Sequence, residues 1–505
     1  MMRDGTLVRS WVQRWYAEPD RDVLHDAREG WITGAQLDQR TRRVAAGLHR
    51  RGVGRGCRVL LSGANGIDLV VVHIALLRLG AVVVPVNGAY REREVTHIVR
   101  DCRPVMVIVD DDAVWSPWVA SVDQRCPVVS VAAAARADGS ADVPADIDAA
   151  APESPAMIGY TSGTTGAPKG AVLSHANLQA SVAALAIAWR WTEDDRLVLC
   201  LPLFHMHGLG VGLHGTLFAG GSAVLLDGFD SDRVIDAAGK HHATLFFGVP
   251  TMYHRLVECE RVSELARLRL CVAGSAPLPP SVHDAFRAAT GRTVLERYGM
   301  TETVMLVSNP YDGERRAGAV GFPLPGVEVR FTRESGAIVD LSAAAADGGT
   351  GEILVRGPNV FSGYWERPAS NVAAFIDGWF RTGDLATVAP DGYITIVGRA
   401  KELIISGGFN VYPREVEEVL ASHPAVAEVA VVGTPSNEWG EEVTAFVVVR
   451  SGHVAPHRDA LREFCGEQLA RFKLPRRVVI VDTLPRNALG KVVKHELRCP
   501  PLPGK

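Results

Sequence analysis

The chain has 505 residues, too many for one hydrophobic core, so at least two domains are expected. Apolar residues make up 47% and charged residues 22%, the balance of a soluble globular enzyme. The net charge of −4 gives no basic bias toward nucleic acid. The eight cysteines include no Cys-x-x-Cys pair, which argues against a zinc site and against a disulfide scaffold. Arginine outnumbers lysine 46 to 7, so a lysine inside a motif stands out. Residues 1–10 lack the apolar core of a signal peptide, and a cytoplasmic location is expected.

Along the chain, a helix is expected over 42–52, a strand over 58–62, a helix over 67–79, and strands over 81–85 and 105–109. Such alternation predicts a layered α/β fold. The most apolar run, 69–86, contains His73, Arg78 and Gly80, and reads as a buried helix turning into a strand, not as a membrane span. Residues 132–155, rich in Ala, Asp and Pro, read as a flexible connection. A helix over 177–189 and strands over 196–200, 223–226, 243–248 and 269–273 resume the alternation. The last two strands end beside Gly, Pro or Ser, and ligands gather outside such carboxyl ends. A short strand is expected over 293–295. Short strands over 327–331, 352–356 and 393–397 with Gly-rich turns predict a small barrel or sandwich. From Lys401 the pattern is α+β: a helix over 414–422, strands over 426–433 and 443–449, and a helix over 458–469. The boundary is placed near Arg399–Lys401, giving domains 1–400 and 401–505.

Chemistry concentrates in a few motifs. Tyr160-Thr161-Ser162-Gly163-Thr164-Thr165-Gly166-Ala167-Pro168-Lys169-Gly170 packs hydroxyls, glycines and one lysine together. Glycine backbone approaches a ligand closely, and N–H groups, hydroxyls and an ammonium form an anion cradle. A polyphosphate is the expected ligand, although the Walker A spacing is absent. Gly274-Ser275-Ala276-Pro277 follows a strand, and its small residues let a flat ring lie on the backbone. Asp384, after Trp379-Phe380-Arg381-Thr382-Gly383, suits a ribose diol. Gly210 to Gly215 matches Gly-x-Gly-x-x-Gly but follows no clear strand, and His205-Met206-His207 lacks a third metal ligand.

These motifs, with Tyr298-Gly299-Met300-Thr301-Glu302 and Pro485 through Gly490-Lys491, resemble the adenylate-forming superfamily of acyl-CoA synthetases, luciferases and adenylation domains. The resemblance spans roughly residues 25–495. It implies a large α/β N-terminal domain of layered sheets and helices with a small β-barrel, and a small mobile α+β C-terminal domain. It implies ATP, Mg²⁺ and coenzyme A as substrates and activating metal, with no prosthetic group. Thr161, Ser162, Gly163, Thr164, Thr165 and Lys169 then hold phosphates. Gly274, Ser275, Ala276 and Pro277 line the adenine pocket, with Glu296, Tyr298, Gly299 and Met300. Thr301 touches the α-phosphate, Glu302 and Thr165 bind magnesium, and Asp384 with Arg399 holds the ribose. Lys491 reaches the reacting carboxylate, His205 is at the floor of the acyl site, and Lys401 is the hinge. Gly407 and Gly408 face the pantetheine tunnel, and Trp439, Phe472, Lys473 and Arg476 contact CoA.

The acyl site is expected to use His207, Arg297, Ser275 and Met305. An Arg and a His at a short acyl pocket point to a second carboxylate on the substrate, because Arg grips a carboxylate through parallel hydrogen bonds. The alternative is that Arg297 pairs with Glu296 or a surface acid. The string from Glu296 to Thr303 is similar to that of malonyl-CoA synthetases. The expected function is an ATP-dependent acid–thiol ligase forming malonyl-CoA or a C2-substituted malonyl-CoA through an acyl-AMP, releasing AMP and pyrophosphate. The alternatives are a synthetase for a small monocarboxylic acid and an adenylation enzyme loading a carrier protein. The expected partners are a small dicarboxylic acid, ATP and CoA, with no nucleic acid and no membrane; oligomeric state stays open.

Overall fold

The computed structural model describes residues 6–136, 144–161, 168–333, 335–406, 409–436, 439–487 and 491–498. Contacts divide the chain into two units. The first holds 1–328 with 355–380, and the second 329–354 with 381–505. The expected break at Arg399–Lys401 therefore lies inside the second unit.

Two sheets organise the first unit. A seven-stranded sheet runs in the order Gly363–Tyr364, Lys169–Ser174, Pro155–Thr161, Val82–Pro85, Arg58–Leu61, Met106–Val109 and Val128–Ser130. Its inner strands pair in parallel, whereas Pro155–Thr161 and Lys169–Ser174 pair antiparallel. A nine-stranded sheet includes Leu295–Tyr298, Leu270–Ala273, Leu245–Gly248, Arg196–Leu199 and Ser222–Leu225 as parallel neighbours in that order. Leu245–Gly248 and Leu270–Ala273, in the middle of this run, are apolar without alternation because both faces are covered. The helix Ile67–Arg78 is apolar all round and buried over nearly its whole length. The helix Gly34–Arg50 starts eight residues before the expected position, at a capping box in which Thr33 and Gln36 satisfy each other's backbone N–H.

The expected loose connection is pinned. Arg78 is fully buried at the end of its helix, and its guanidinium binds both oxygens of Asp148 at 3.1 and 2.8 Å. It also donates to Asp38 at 2.7 Å and to Thr41 at 2.8 Å. A buried cation needs such partners, and that need draws the segment around Asp148 onto the core. Residues 137–143 of that stretch lie outside the described residues.

Two further sheets have most of their residues in the second unit. A half-barrel sheet places Ile338–Asp340, Glu328–Thr332, Gly351–Arg356 and Trp379–Val388 side by side, with Ile394–Arg399 on the last. A further sheet centres on the hairpin Val426–Ser436 and Gly440–Val449. It packs on the helices Pro413–Ala421 and Arg458–Gly466 through Val416, Leu420, Val431, Val443, Leu461 and Cys465. No described helix is long and apolar enough to cross a membrane.

A histidine pair sits deep in the first unit. His73 Nε2 and His214 Nε2 lie 2.9 Å apart, so one donates and the other accepts. Burial drives His73 down to about 3 and His214 well below the usual histidine value. Both are neutral in the fold, whereas unfolded histidine protonates near about 6.5. Folded values below unfolded ones mean that their contribution to stability is full above about pH 6.5 and is lost as pH falls toward the folded values. The urea midpoint is expected to drop between about pH 7 and pH 5, and His73→Leu is expected to flatten that slope. Equal slopes for both proteins would show that other groups set the acid sensitivity.

Candidate active site

The site forms where parallel strands of the nine-stranded sheet end. Gly274 follows Leu270–Ala273, Tyr298 closes Leu295–Tyr298, and the His205 turn follows Arg196–Leu199. The strand through Arg297 extends three residues past the expected end at 295, and this decides the chemistry. Successive side chains on a strand point to opposite faces. The buried Glu296 carboxylate accepts the amide of Gly318 at 2.7 Å and that of Leu278 at 3.3 Å, bracing the loops behind the strand. Arg297 points the other way, against Gly274.

Arg297 is 6% exposed, and among the described residues its Nε and Nη2 have no hydrogen-bond partner. The expected alternative, pairing with Glu296 or a surface acid, is not what forms among the described residues. Burial lowers its guanidinium to about 9, still cationic at neutral pH. Gly274 makes the berth: a Cβ there would stand 2.4 Å from the Arg297 Cζ and 2.5 Å from its Nε. His207 lies in the same region. It is buried, it stacks on Phe247 with ring centres 6.4 Å apart, and its Nδ1 is 3.4 Å from Ser275 Oγ. Burial, then the charge of Arg297, holds His207 well below the usual histidine value. The Ser275 contact fits either tautomer; in the one where Nδ1 accepts, the proton is on Nε2, which has no partner among the described residues. A neutral N–H donor beside a buried cation is a binding surface for an anion. Met305, 1% exposed, is held in place where the Asn359 side-chain amide donates to its carbonyl at 2.7 Å.

His205 is half-buried, and its Nδ1 accepts the His207 amide at 3.3 Å. The following Gly-x-Gly-x-x-Gly stretch is helical, a π-helix over His207–Leu213 followed by the α-helix His214–Ala219. π-helical turns recur at functional sites.

Thr161 and Lys169 face each other across the antiparallel hairpin, and Thr161 Oγ1 donates to the Lys169 carbonyl at 3.4 Å. Ser162, Gly163, Thr164 and Thr165 lie outside the described residues. The Lys169 ammonium stands 5.4 Å from the centre of the Tyr364 ring, and the Tyr364 hydroxyl donates to Glu302 Oε1 at 2.9 Å. This row links the hairpin's cation to a buried carboxylate. Sequence reasoning missed Tyr364 because nothing around it signals its role; only the pairing of Gly363–Tyr364 on Lys169–Ser174 brings it in. Glu302 is an oxygen donor of the kind magnesium takes. Tyr298, Gly299, Met300 and Thr301 form the half-buried turn beside it. Thr301 fits against Gly159, where a Cβ would come within 2.4 Å of its methyl. Ser275, Ala276 and Pro277 are exposed past the buried Gly274.

The second unit carries its own group. Asp384 and Arg399 are register partners on adjacent strands, with Arg399 Nε 2.7 Å from the buried Asp384 carboxylate. Lys491 is an exposed residue, and its amide donates to Asn487 Oδ1 at 3.0 Å. Lys401 is exposed in the short 3₁₀ turn Ala400–Glu402. Arg476 covers the Trp439 ring at 3.7 Å, Phe472 stacks on Phe409 at 4.7 Å, and Lys473 is ion-paired with Glu415. Gly407 and Gly408 lie outside the described residues.

A family model described as AMP-binding enzyme matches residues 11–365, and one described as AMP-binding enzyme C-terminal domain matches 415–491. The mitochondrial malonate–CoA ligase ACSF3 of Mus musculus is 37% identical, covering 87% of this chain and 81% of its own length. The indoleacetate–CoA ligase of Aromatoleum aromaticum is 36% identical, covering 97% of each. The crystal structure of ATP-bound MatB from Rhodopseudomonas palustris matches with a TM-score of 0.89 and 39% identity, covering 97% of each chain.

The contact between Gly274 and Arg297 is testable. Gly274→Ala must push the flexible guanidinium out of its berth while leaving the strand intact. Its thermal midpoint is expected within a few degrees of wild type, and its affinity for malonate, used as a probe dianion, about tenfold weaker by calorimetry. Unchanged malonate affinity would show that Arg297 does not bind from this position.

Proposed function

The chain belongs to the AMP-binding enzyme family, and we propose that it joins malonate, with or without a C2 substituent, to coenzyme A, consuming ATP. The observation that carries this reading is Arg297, a buried cation without a counter-charge among the described residues. Identity does not choose the acid, since relatives at 37% and 36% are named for malonate and for indoleacetate. An unpaired buried charge is costly, and an anion that fills the site offsets that cost. Once one carboxylate of malonate has entered the adenylate, the second remains to meet Arg297 and the His207 N–H. A monocarboxylic acid leaves Arg297 bare. A charge-assisted hydrogen bond contributes roughly 1.5–3 kcal/mol, which is one to two orders of magnitude in preference.

In the proposed first step, a carboxylate oxygen attacks the α-phosphorus of ATP. The bond to the bridging oxygen breaks, and pyrophosphate leaves with the electron pair. The hairpin ending in Thr161 and Lys169 holds the phosphates, Asp384 with Arg399 holds the ribose, and Lys491 places a compact positive charge at the reacting oxygens. Magnesium, when bound with the nucleotide, supplies further neutralisation of the phosphates, and Glu302 would hold it. In the second step the CoA thiolate attacks the acyl carbon and AMP departs. Lys401 is the pivot between the two steps, with Trp439, Phe472 and Arg476 on the CoA side. Lys473 can join them by leaving Glu415. The cytoplasm, a reducing compartment, is the proposed location, and the seven described cysteines, all free thiols, fit it.

A panel of small acids with ATP and CoA tests the substrate. Malonate and methylmalonate are expected to exceed butyrate and propionate by roughly tenfold or more in kcat/KM. Arg297→Leu is expected to lower kcat/KM for malonate about 10–100-fold, to leave the KM for ATP within about threefold, and to raise the relative rate with butyrate. Retained malonate preference in Arg297→Leu overturns the assignment.

The two half-reactions separate the remaining roles. Lys491→Ala is expected to slow acyl-AMP formation about 10²–10³-fold and to spare conversion of supplied malonyl-AMP to malonyl-CoA. Lys401→Pro, which fixes φ near about −65°, is expected to do the reverse. Equal losses in both steps for either variant would reject the two-state scheme.

A further inference from the structure

The helix Glu92–Cys102 belongs to no motif, yet it touches both arms of the phosphate hairpin. Its apolar side, Val95, Ile98, Val99 and Cys102, is buried in the core with Leu60, Val84 and Val107 of the seven-stranded sheet. It is therefore anchored to the same sheet as the hairpin. His97 and Asp101, four residues apart, lie on one face of the helix. His97 Nε2 is 3.1 Å from the carbonyl of Pro168, and because a carbonyl only accepts, the imidazole donates. Asp101 Oδ2 accepts the Tyr160 hydroxyl at 2.7 Å. Tyr160 and Pro168 flank the loop 161–167 on opposite arms.

A second layer fixes Asp101. Arg367 is ion-paired with its carboxylate, and Trp365 Nε1 donates to its carbonyl at 3.3 Å. The Trp365 amide in turn donates to the carbonyl of Gly170 at 2.7 Å, on the Pro168 arm. Each arm is thus tied to the helix directly, and the arm beyond Pro168 also indirectly. Sheet pairing fixes the strands of the hairpin, and His97 and Asp101 add side-chain ties from the helix to Pro168 and Tyr160, near the open end of each arm.

We propose that His97 and Asp101 are positioning residues that fix the two arms of the phosphate hairpin and thereby set the affinity for MgATP, without touching nucleotide or acid themselves. This rests on the reading of the chain as an ATP-using ligase. Arms tied at both bases keep Thr161 and Lys169 in one arrangement, so the nucleotide does not have to order them. Releasing one base spreads the arrangement and weakens ATP without altering the acid pocket around Arg297.

The test is MgATP binding to the full chain by calorimetry without acid or CoA, joined to steady-state kinetics. His97→Leu removes the donor, whereas His97→Gln keeps an N–H at nearly the same place. His97→Leu is expected to weaken MgATP about fivefold and to raise the KM for ATP in proportion. The KM for malonate and the nucleotide-free thermal midpoint should stay unchanged. His97→Gln is expected within about twofold of wild type in all of these. Tyr160→Phe, which removes the hydroxyl bonded to Asp101, is expected to weaken MgATP about threefold, and it carries the test alone should His97→Leu fail to fold. Unchanged MgATP affinity in His97→Leu, or failure of His97→Gln to restore it, overturns the proposal. So does a malonate KM that rises as much as the ATP KM. A wild-type chain that binds no MgATP overturns the ligase reading and this one with it, whereas normal wild-type binding with indifferent variants overturns this one alone.

Discussion

A guanidinium taken out of water with no carboxylate beside it is the constraint on which the proposed acyl site turns. Arg297 is buried, and two of its nitrogens find nothing to bond among the described residues. Arg78, equally buried, is handled otherwise. It is partnered by Asp38, Thr41 and Asp148, so its charge goes into holding the fold. Arg297 is kept apart from the acid next to it by the two-residue period of its strand. Glu296 goes to the other face, where the amides of Leu278 and Gly318 take its oxygens. The same backbone geometry therefore does two things at once: it braces the loops with an acid and leaves a base uncompensated for an incoming anion.

The neighbours of Arg297 preserve that condition. Gly274 has no side chain to fill the berth, and His207, kept neutral by burial and by the adjacent cation, adds a donor without adding a second charge. Two charged bases in so small a space would repel each other, and a carboxylate placed there would cancel the site. One cation and one neutral donor suit a single carboxylate.

The proposed phosphate side is organised by distance in sequence. Lys169 lies in one sheet and Glu302 follows a strand of the other, and Tyr364 joins them. The hairpin's arms are reached from an earlier helix, Tyr160 by Asp101 59 residues before it and Pro168 by His97 71 residues before it. The parallel sheets make this possible, because their strand ends converge residues from distant segments on one edge. The chemistry-bearing groups are short-range in motif and long-range in support.

Much of this was legible in the sequence. The alternation of helix and strand from residue 58 onward, and the apolar character of 69–86, follow from local periodicity, and they reappear as Ile67–Arg78 followed by Val82–Pro85. The phosphate motif, the Tyr298–Glu302 turn and the family are local strings whose meaning depends on residue type and spacing alone. What the sequence left open was decided by contacts between distant residues. The strand through Arg297 runs to Tyr298 because it pairs with Leu270–Ala273 and Val307–Ser308, and that register decides that Glu296 and Arg297 part company. The stretch around Asp148 looks loose by composition but is drawn in by a buried arginine 70 residues away. Tyr364, His97 and Asp101 carry no local signal, since a side chain that acts on another residue's backbone or ring is recognisable only when that partner is beside it. Local sequence settles which chemistry is available, whereas burial and strand register settle which charges are compensated, because both depend on neighbours that only the folded chain supplies.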